Sequence, residues 1–407
     1  MNCQLSPDNI LYDNALYRTL YDAVGTFLPC WLAYAAAGLV IIMILVNSVL
    51  LGAAVLTWME RRVLGRMQNR IGPNRWGPFG LLQPMADFTK LLTKEDLIPS
   101  GADRITFTLV PLVMMVPLLL MTAVIPFSKN TALADLNVGV LFILAVGSLS
   151  TVAIFMAGWA SNNRYALFGA ARAVAVLISY EVPVVISLLG VVMVAGSMSL
   201  ASIVEAQSIP FLLVQPMALF IFLVGMSAEL NRTPFDVAEA ESEIIAGYHI
   251  EYSGIKFALI FAAETGAMLV VAATITTLFL SGWAGPFADF IGWLWFLLKT
   301  LVIIFVFFWI RATYPRLRVD QIMALSWKFL LPLSLINLTA TSIEVFILRG
   351  PERVLTTGDL WIMAAINIPL LLVCILLFSN LVRDKATASP VRPATTLIPG
   401  VSTIEVR

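Results

Sequence analysis

Leu39-Val-Ile-Ile-Met-Ile-Leu-Val-Asn-Ser-Val-Leu-Leu-Gly-Ala-Ala-Val-Leu-Thr-Trp58 runs for twenty residues without a charge, then breaks into Met59-Glu-Arg-Arg62. A helix needs about 20 apolar residues to cross a bilayer, and this run, extended back to Tyr34, supplies them. Eight further stretches read the same way: 107–127, 138–160, 173–197, 210–229, 257–281, 291–310, 328–348 and 360–381. The runs are continuous rather than alternating, so they are helices and not barrel strands. The predicted class is an all-α polytopic membrane protein with nine spans in one transmembrane domain (34–381). A segment of 33 residues precedes it, and a tail (382–407) rich in Pro, Thr and Ser follows.

Composition excludes the alternatives. Of 407 residues, 60% are hydrophobic and 12% charged, with a mean hydropathy of +0.91. A soluble domain carries about 25% charge. Net charge is zero, so no global field recruits nucleic acid. One histidine (His249) and three cysteines (Cys3, Cys30, Cys374), none at ligand spacing, argue against a metal or cluster held by this chain. They also show no readable disulfide framework. The first thirty residues lack the basic region of a cleavable leader.

The cations orient the spans. Segments 59–106, 161–172, 230–256, 311–328 and 382–407 hold 8, 2, 2, 4 and 4 Lys and Arg, twenty in all. The opposite side holds Arg18, Lys129, Arg349 and Arg353, and Lys299 lies within a span. Twenty against four places the amino terminus outside and the carboxyl terminus in the cytoplasm.

Chemistry then falls to the loops on the basic side and to acids within spans. Residues 59–80 are basic and rich in Gly-Pro turns, with no Walker spacing. In 81–94, Leu81, Leu82, Met85, Phe88 and Leu92 share one face and Gln83, Asp87, Lys90 and Lys94 the other, which fits a helix lying in the membrane interface. Thr233, Pro234 and Asp236 read as a helix start and Gly247 as its end. Six acids lie between 229 and 251, and closely spaced carboxylates raise one another's proton affinity. Glu239 and Glu243 share a helical face while Glu241 points elsewhere. Intramembrane charges are costly and tend to be functional. Glu181 and Glu264 are the foremost of these, Glu60 and Glu229 end their spans, Lys299 sits mid-span, and Glu344 reads as interfacial. Arg172 and Arg311 are the available countercharges, while Arg164 and Arg232 look loop-like. The acids gather in the inner half of spans one, four, five and six, as a half-channel does.

Longer strings resemble a known family. Glu60-Arg-Arg-Val-Leu-Gly-Arg-Met-Gln, Gly72-Pro-Asn and Gly80-Leu-Leu-Gln-Pro-Met-Ala-Asp87 resemble the first loop of a membrane subunit of proton-pumping NADH:quinone oxidoreductase, respiratory complex I. The subunit in question bridges the peripheral and membrane arms in bacteria and mitochondria. Trp159-Ala-Ser-Asn-Asn-Arg-Tyr, Ile178-Ser-Tyr-Glu181, Glu229-Leu-Asn-Arg-Thr-Pro-Phe-Asp236, Glu239-Ala-Glu-Ser-Glu243, Ala263-Glu264 and Trp309-Ile-Arg-Ala-Thr-Tyr-Pro-Arg are similar to its later loops and spans. The resemblance covers about residues 40–345. Val176, Ala240 and Thr265 depart from it, standing where many members have glutamine, glycine and tyrosine.

The resemblance implies a subunit of a proton translocase in a bacterial inner membrane. Its substrate would be a quinone (ubiquinone or menaquinone), with no cofactor held in this chain. Its partners would be peripheral-arm subunits carrying the quinone headgroup site and the terminal iron–sulfur cluster, small membrane subunits next to the antiporter-like subunits, and lipid, with no nucleic acid. Carried over by position, Arg61, Asp87, Phe88, Glu239, Phe257, Phe261 and Arg311 would border the quinone passage. Glu60, Glu181, Glu229, Asp236, Glu239, Glu241, Glu243, Glu251 and Glu264 would relay coupling, with Arg172 as countercharge. A ferredoxin-linked or hydrogenase membrane subunit, and a stand-alone ion transporter, are the rival readings.

Overall fold

The computed structural model describes residues 15–25, 29–129, 131, 133–236, 246–349 and 355–388. The described elements are helical: α1 (Ala15–Gly25), α2 (Cys30–Met67), α3 (Gln83–Thr93), α4 (Arg104–Val124), α5 (Gly139–Ala160), α6 (Arg164–Ala195), α7 (Leu200–Ala206), α8 (Phe211–Val214), α9 (Pro216–Glu229), α10 (Gly254–Phe279), α11 (Ala288–Thr313), α12 (Val319–Leu325), α13 (Leu331–Arg349) and α14 (Thr357–Ala388). Eight helical stretches among them are long and apolar enough to cross a membrane: α2, α4, α5, α6, α10, α11, the combined α12–α13 and α14.

The fifth expected span is the exception. It is interrupted at Gln215 (φ −128°, ψ 55°), leaving a single turn, α8, and then α9. Pro216 has no N–H to continue the ladder, so a helix starts there more readily than it passes through. At 1.5 Å per residue the fourteen residues of α9 rise about 21 Å, short of the roughly 30 Å hydrocarbon core. The eighth span also carries an irregularity, a π-helical turn at Ser326–Leu330 between α12 and α13. The Ser326 hydroxyl donates to the Ser179 carbonyl at 2.5 Å, the Trp327 indole to Ser179 Oγ at 3.2 Å, and Tyr180 OH to the Ile322 carbonyl at 2.9 Å. These bonds fix α6 beside Glu181.

A continuous apolar core joins α2, α4, α5, α6, α9, α10 and α11. Small residues permit the close contacts. A Cβ at Gly158 would stand 2.4 Å from Ala170 Cβ and 2.7 Å from the Ala166 carbonyl oxygen, so α5 meets α6 at backbone distance only because Gly158 has none. Asp103 caps α4, accepting from the Ile105 amide at 3.2 Å and the Thr106 hydroxyl at 2.6 Å. The Thr106 bond holds the Asp103 carboxyl below its ordinary range.

Several expectations change. Thr233–Asp236 form a turn rather than the first turn of a helix: Asn231 takes a positive φ of 49° and Phe235 N–H closes on the Arg232 carbonyl at 2.8 Å. Gly247 takes a left-handed φ of 65° and opens a short 3-10 turn, Gly247–His249; the helix it is expected to end lies outside the described residues. The acids Glu239, Glu241 and Glu243 lie outside the described residues. The last helix runs on to Ala388, past its expected end at 381. Cys30, at the start of α2, is disulfide-bonded, a bond that three scattered cysteines do not announce.

Lys299 has a structural task. Its Nζ donates to the carbonyls of Leu280 (2.7 Å), Gly282 (3.0 Å) and Ala284 (2.7 Å), pinning the turn between α10 and α11. A methionine there would keep the stem and leave three carbonyls without their charged donor. Hydrogen bonds to charged groups contribute a net of about 1.5–3 kcal/mol. With Lys299 half-buried, Lys299→Met is expected to destabilise by about 2 kcal/mol, read as a lower thermal inactivation temperature with unchanged turnover below it.

Candidate functional site

Two adjoining cavities hold most of the predicted acids. The first, about 100 Å³, is lined by Glu181 of α6, Glu229 at the end of α9 and Glu264 of α10, within a mostly apolar wall of α4, α5, α6, α9 and α10 that includes Met114, Leu118, Ile143, Leu188 and Phe222. Its volume is room for a few waters, and three carboxyls give those waters partners. Gly147 of α5 faces Glu229: a Cβ there would lie 3.5 Å from Glu229 Oε1. The second cavity, about 220 Å³, is lined by Glu60, Arg61, Arg70, Arg232, Asp236, Phe261, Glu264 and Arg311. Leu230, Asn231 and Glu264 belong to both walls. Glu264 is therefore the group at which the charged cavity meets the apolar one.

The second cavity is built on a shared anion. Glu60 is 7% exposed, and its Oε1 accepts from both Arg232, at 2.8 Å, and Arg311. These groups come from three places in the chain: the end of α2, the turn after α9 and the end of α11. Two guanidiniums on one carboxylate leave the cavity a net positive charge beside Asp236 and Glu264. Arg316 pairs with Asp236 at 3.5 Å and also donates to the Asp236 carbonyl. From the other side the Tyr248 hydroxyl donates to Glu264 Oε1. Tyr248 is fully buried, so its ring fixes the direction of that bond.

The interface helix borders this region. α3 packs against α2 and α10, and Arg61 bonds Asp87 at 2.6 Å while Gln83 donates to the same carboxylate at 3.3 Å. Leu81, Leu82, Met85, Phe88 and Leu92 are all exposed, the face expected to rest in lipid. Phe257 stacks on Phe261 at 6.3 Å and lies 5.7 Å from the His249 ring. Phe261 lines the charged cavity; Phe88, Asp87 and Phe257 do not.

Some predicted residues fall elsewhere. Glu251 accepts from the Asn163 side chain at 2.7 Å and lines a separate surface pocket with Ser161 and Arg164. Arg172 lies nine residues before Glu181 on α6, about 13 Å along the axis, and lines neither cavity. Arg232, loop-like in the sequence, is a partner of the buried Glu60 with its own side chain only 16% exposed. Glu344, interfacial by position in the sequence, is 7% exposed. Tyr248 is a site residue that the sequence reading does not single out; its place after Gly247, next to the acidic stretch, is the only available signal. No group of three or more metal-ligating side chains occurs among the described residues.

Among the described residues, eight helices long and apolar enough to cross a membrane, packed with carboxyls that a charged cavity borders at one end, define a polytopic membrane protein. A family model described as NADH dehydrogenase matches residues 39–342. The chain is 52% identical to the H subunit of the NADH-quinone oxidoreductase of Dehalococcoides mccartyi strain CBDB1 over 342 residues, 84% of this chain and 94% of that one. It is 52% identical to the corresponding protein of Geobacillus kaustophilus, over 70% of this chain and 86% of the relative. The value is 50% for that of Rickettsia typhi, over 73% and 90%. The chain belongs to the NADH dehydrogenase family.

Proposed function

We propose that this chain is the quinone-side membrane subunit of a proton-translocating NADH:quinone oxidoreductase, working with other subunits that hold the redox centres. The observation that carries the reading is Glu264, common to the wall of the basic cavity and the wall of the intramembrane one. The family membership and the relatives, named as subunits of NADH-quinone oxidoreductase, support the same assignment.

In this reading the quinone enters from lipid beside α3. Its apolar tail follows the greasy surface of α2, α3 and α10, past Phe257 and Phe261. Reduction of a quinone to quinol takes two electrons and two protons. Charge appearing at the headgroup changes the field in the positive cavity, where Glu60, Arg232 and Arg311 share charge. That change alters the proton affinity of Asp236 and Glu264, because a like or opposite charge within a few ångström shifts a carboxyl strongly in low dielectric. Glu264 passes the change to Glu229 and Glu181. Glu239, Glu241 and Glu243, which follow Asp236 in the sequence, join this relay.

Orientation follows from charge and redox together. Counting the interrupted fifth span as a ninth crossing, the twenty-to-four cation split supports a basic cavity that faces the cytoplasm. The disulfide at Cys30 then lies outside, where thiols oxidise.

The test is a photoreactive quinone analogue applied to the purified assembly, with adducts mapped by mass spectrometry. Adducts are expected within 60–95 and 229–265. Adducts confined to other subunits, or to the opposite end of these helices, contradict the proposed route.

A further inference from the structure

A second buried polar cluster lies away from both cavities, where the interrupted fifth span meets the last two helices. Gln215, at the break, is fully buried. Its Nε2 donates to Thr341 Oγ1 at 2.9 Å, and its Oε1 accepts from Asn337 Nδ2 at 3.3 Å. The break also frees the Val214 carbonyl, which accepts from Asn367 Nδ2 of α14 at 2.9 Å. The other hydrogen of that amide goes to Glu344 Oε2 of α13, also at 2.9 Å.

The hydrogen count decides the rest. Asn367 has two amide hydrogens, and both are used. Its own Oδ1 and the second carboxyl oxygen, Glu344 Oε1, are left without a hydrogen-bond partner among the described residues. Asn367 is 1% and Glu344 7% exposed. Among the described residues no lysine or arginine forms an ion pair with Glu344. A bare carboxylate here would be a buried, uncompensated charge beside an unpaired carbonyl, both strongly unfavourable. One added hydrogen removes both faults. Placed on Glu344 Oε1 and donated to Asn367 Oδ1, it would complete, with the bond already made from Nδ2 to Oε2, the two-bond pairing of a carboxylic acid and a primary amide.

We propose that Glu344 and Asn367 form a proton-binding site, occupied in the assembled protein, that ties α13 to α14 at the break in the fifth span. The ligand is a single proton. One carboxyl and one amide oxygen satisfy it, whereas a desolvated sodium ion needs several more oxygen donors. The site is separate from the Glu181–Glu229–Glu264 cavity and does not depend on the quinone reading. It places a titratable group near the opposite ends of the spans from the basic cavity.

Infrared spectroscopy of the intact complex in proteoliposomes tests it, as the difference between wild type and Glu344→Gln. The glutamine amide reproduces both bonds, its Nε2 donating to Asn367 Oδ1 and its Oε1 accepting from Nδ2. Assembly at wild-type level is therefore expected. The expected spectral loss lies in the protonated-carboxyl C=O stretch, unaltered by sodium chloride at fixed pH. Loss from the carboxylate stretches would overturn the proposal, as would failure of Glu344→Gln to assemble. Conversion of the protonated band to a carboxylate band by added sodium would reassign the site to that ion and overturn it equally.

Discussion

Replacing Glu60 with alanine is expected to lower the quinone reductase turnover of the assembled complex by about tenfold or more. Glu60 is the carboxylate that bonds both Arg232 and Arg311, and it is nearly enclosed. Removing one member of a buried ion pair costs about 3–5 kcal/mol, because the remaining charge stays buried without compensation. The arginine side chains retain 16% and 30% exposure, so solvent screening reduces that to about 2–4 kcal/mol. The cost falls on the geometry of three segments at once: the end of α2, the turn after α9 and the end of α11. Two unbalanced guanidiniums would also hold any carboxylate or quinol anion that approached. The measurement is NADH:quinone turnover set against NADH oxidation by an artificial acceptor that bypasses the quinone. The artificial reaction should be unchanged. Quinone turnover within twofold of wild type would show that the Glu60 pair is decorative.

Glu264→Gln is expected to leave assembly intact and reduce coupled proton translocation by about tenfold or more. The amide keeps the volume and still accepts from Tyr248, so packing has no reason to fail. It cannot take up and release a proton, and positioned proton transfer commonly contributes about 10²–10⁴ in rate. Glu251→Gln provides the contrast. Glu251 lies in a separate surface pocket on Asn163, and its substitution is expected to change translocation by less than about twofold. Equal effects of the two substitutions would mean that carboxyl charge in the region matters and the shared cavity wall does not.

The membrane-crossing helices are legible in the sequence because twenty uncharged residues leave little alternative in water. The orientation of the apolar face of 81–94 is legible for the same reason, and Leu81 and Leu92 are exposed as that reading requires. The broken fifth span is not. Its hydropathy is continuous through 210–229, and hydropathy does not register a missing N–H at Pro216. Glu181, Glu229 and Glu264 are recognisable singly, since a charge in a span is costly, but their meeting in one cavity depends on how α6, α9 and α10 pack. Arg232 is misleading because loop position says nothing about which acid a long side chain will reach. Glu251 looks like part of the relay by proximity to other acids along the chain, and the turn at 247–253 carries it away. Thr233-Pro234 has the composition of a helix start, yet the left-handed Asn231 sends the chain into a turn first.

In the proposed relay Asp236, in the basic cavity, and Glu181, in the apolar one, act through the same connection at Glu264. A double-mutant cycle on proton translocation addresses it, with Asp236→Asn, Glu181→Gln and the pair together in proteoliposomes. Residues on one shared path give strongly non-additive effects, whereas independent sites add within about 0.3–0.5 kcal/mol. The double variant is expected to translocate protons about as well as the worse single variant. Losses that multiply would contradict it.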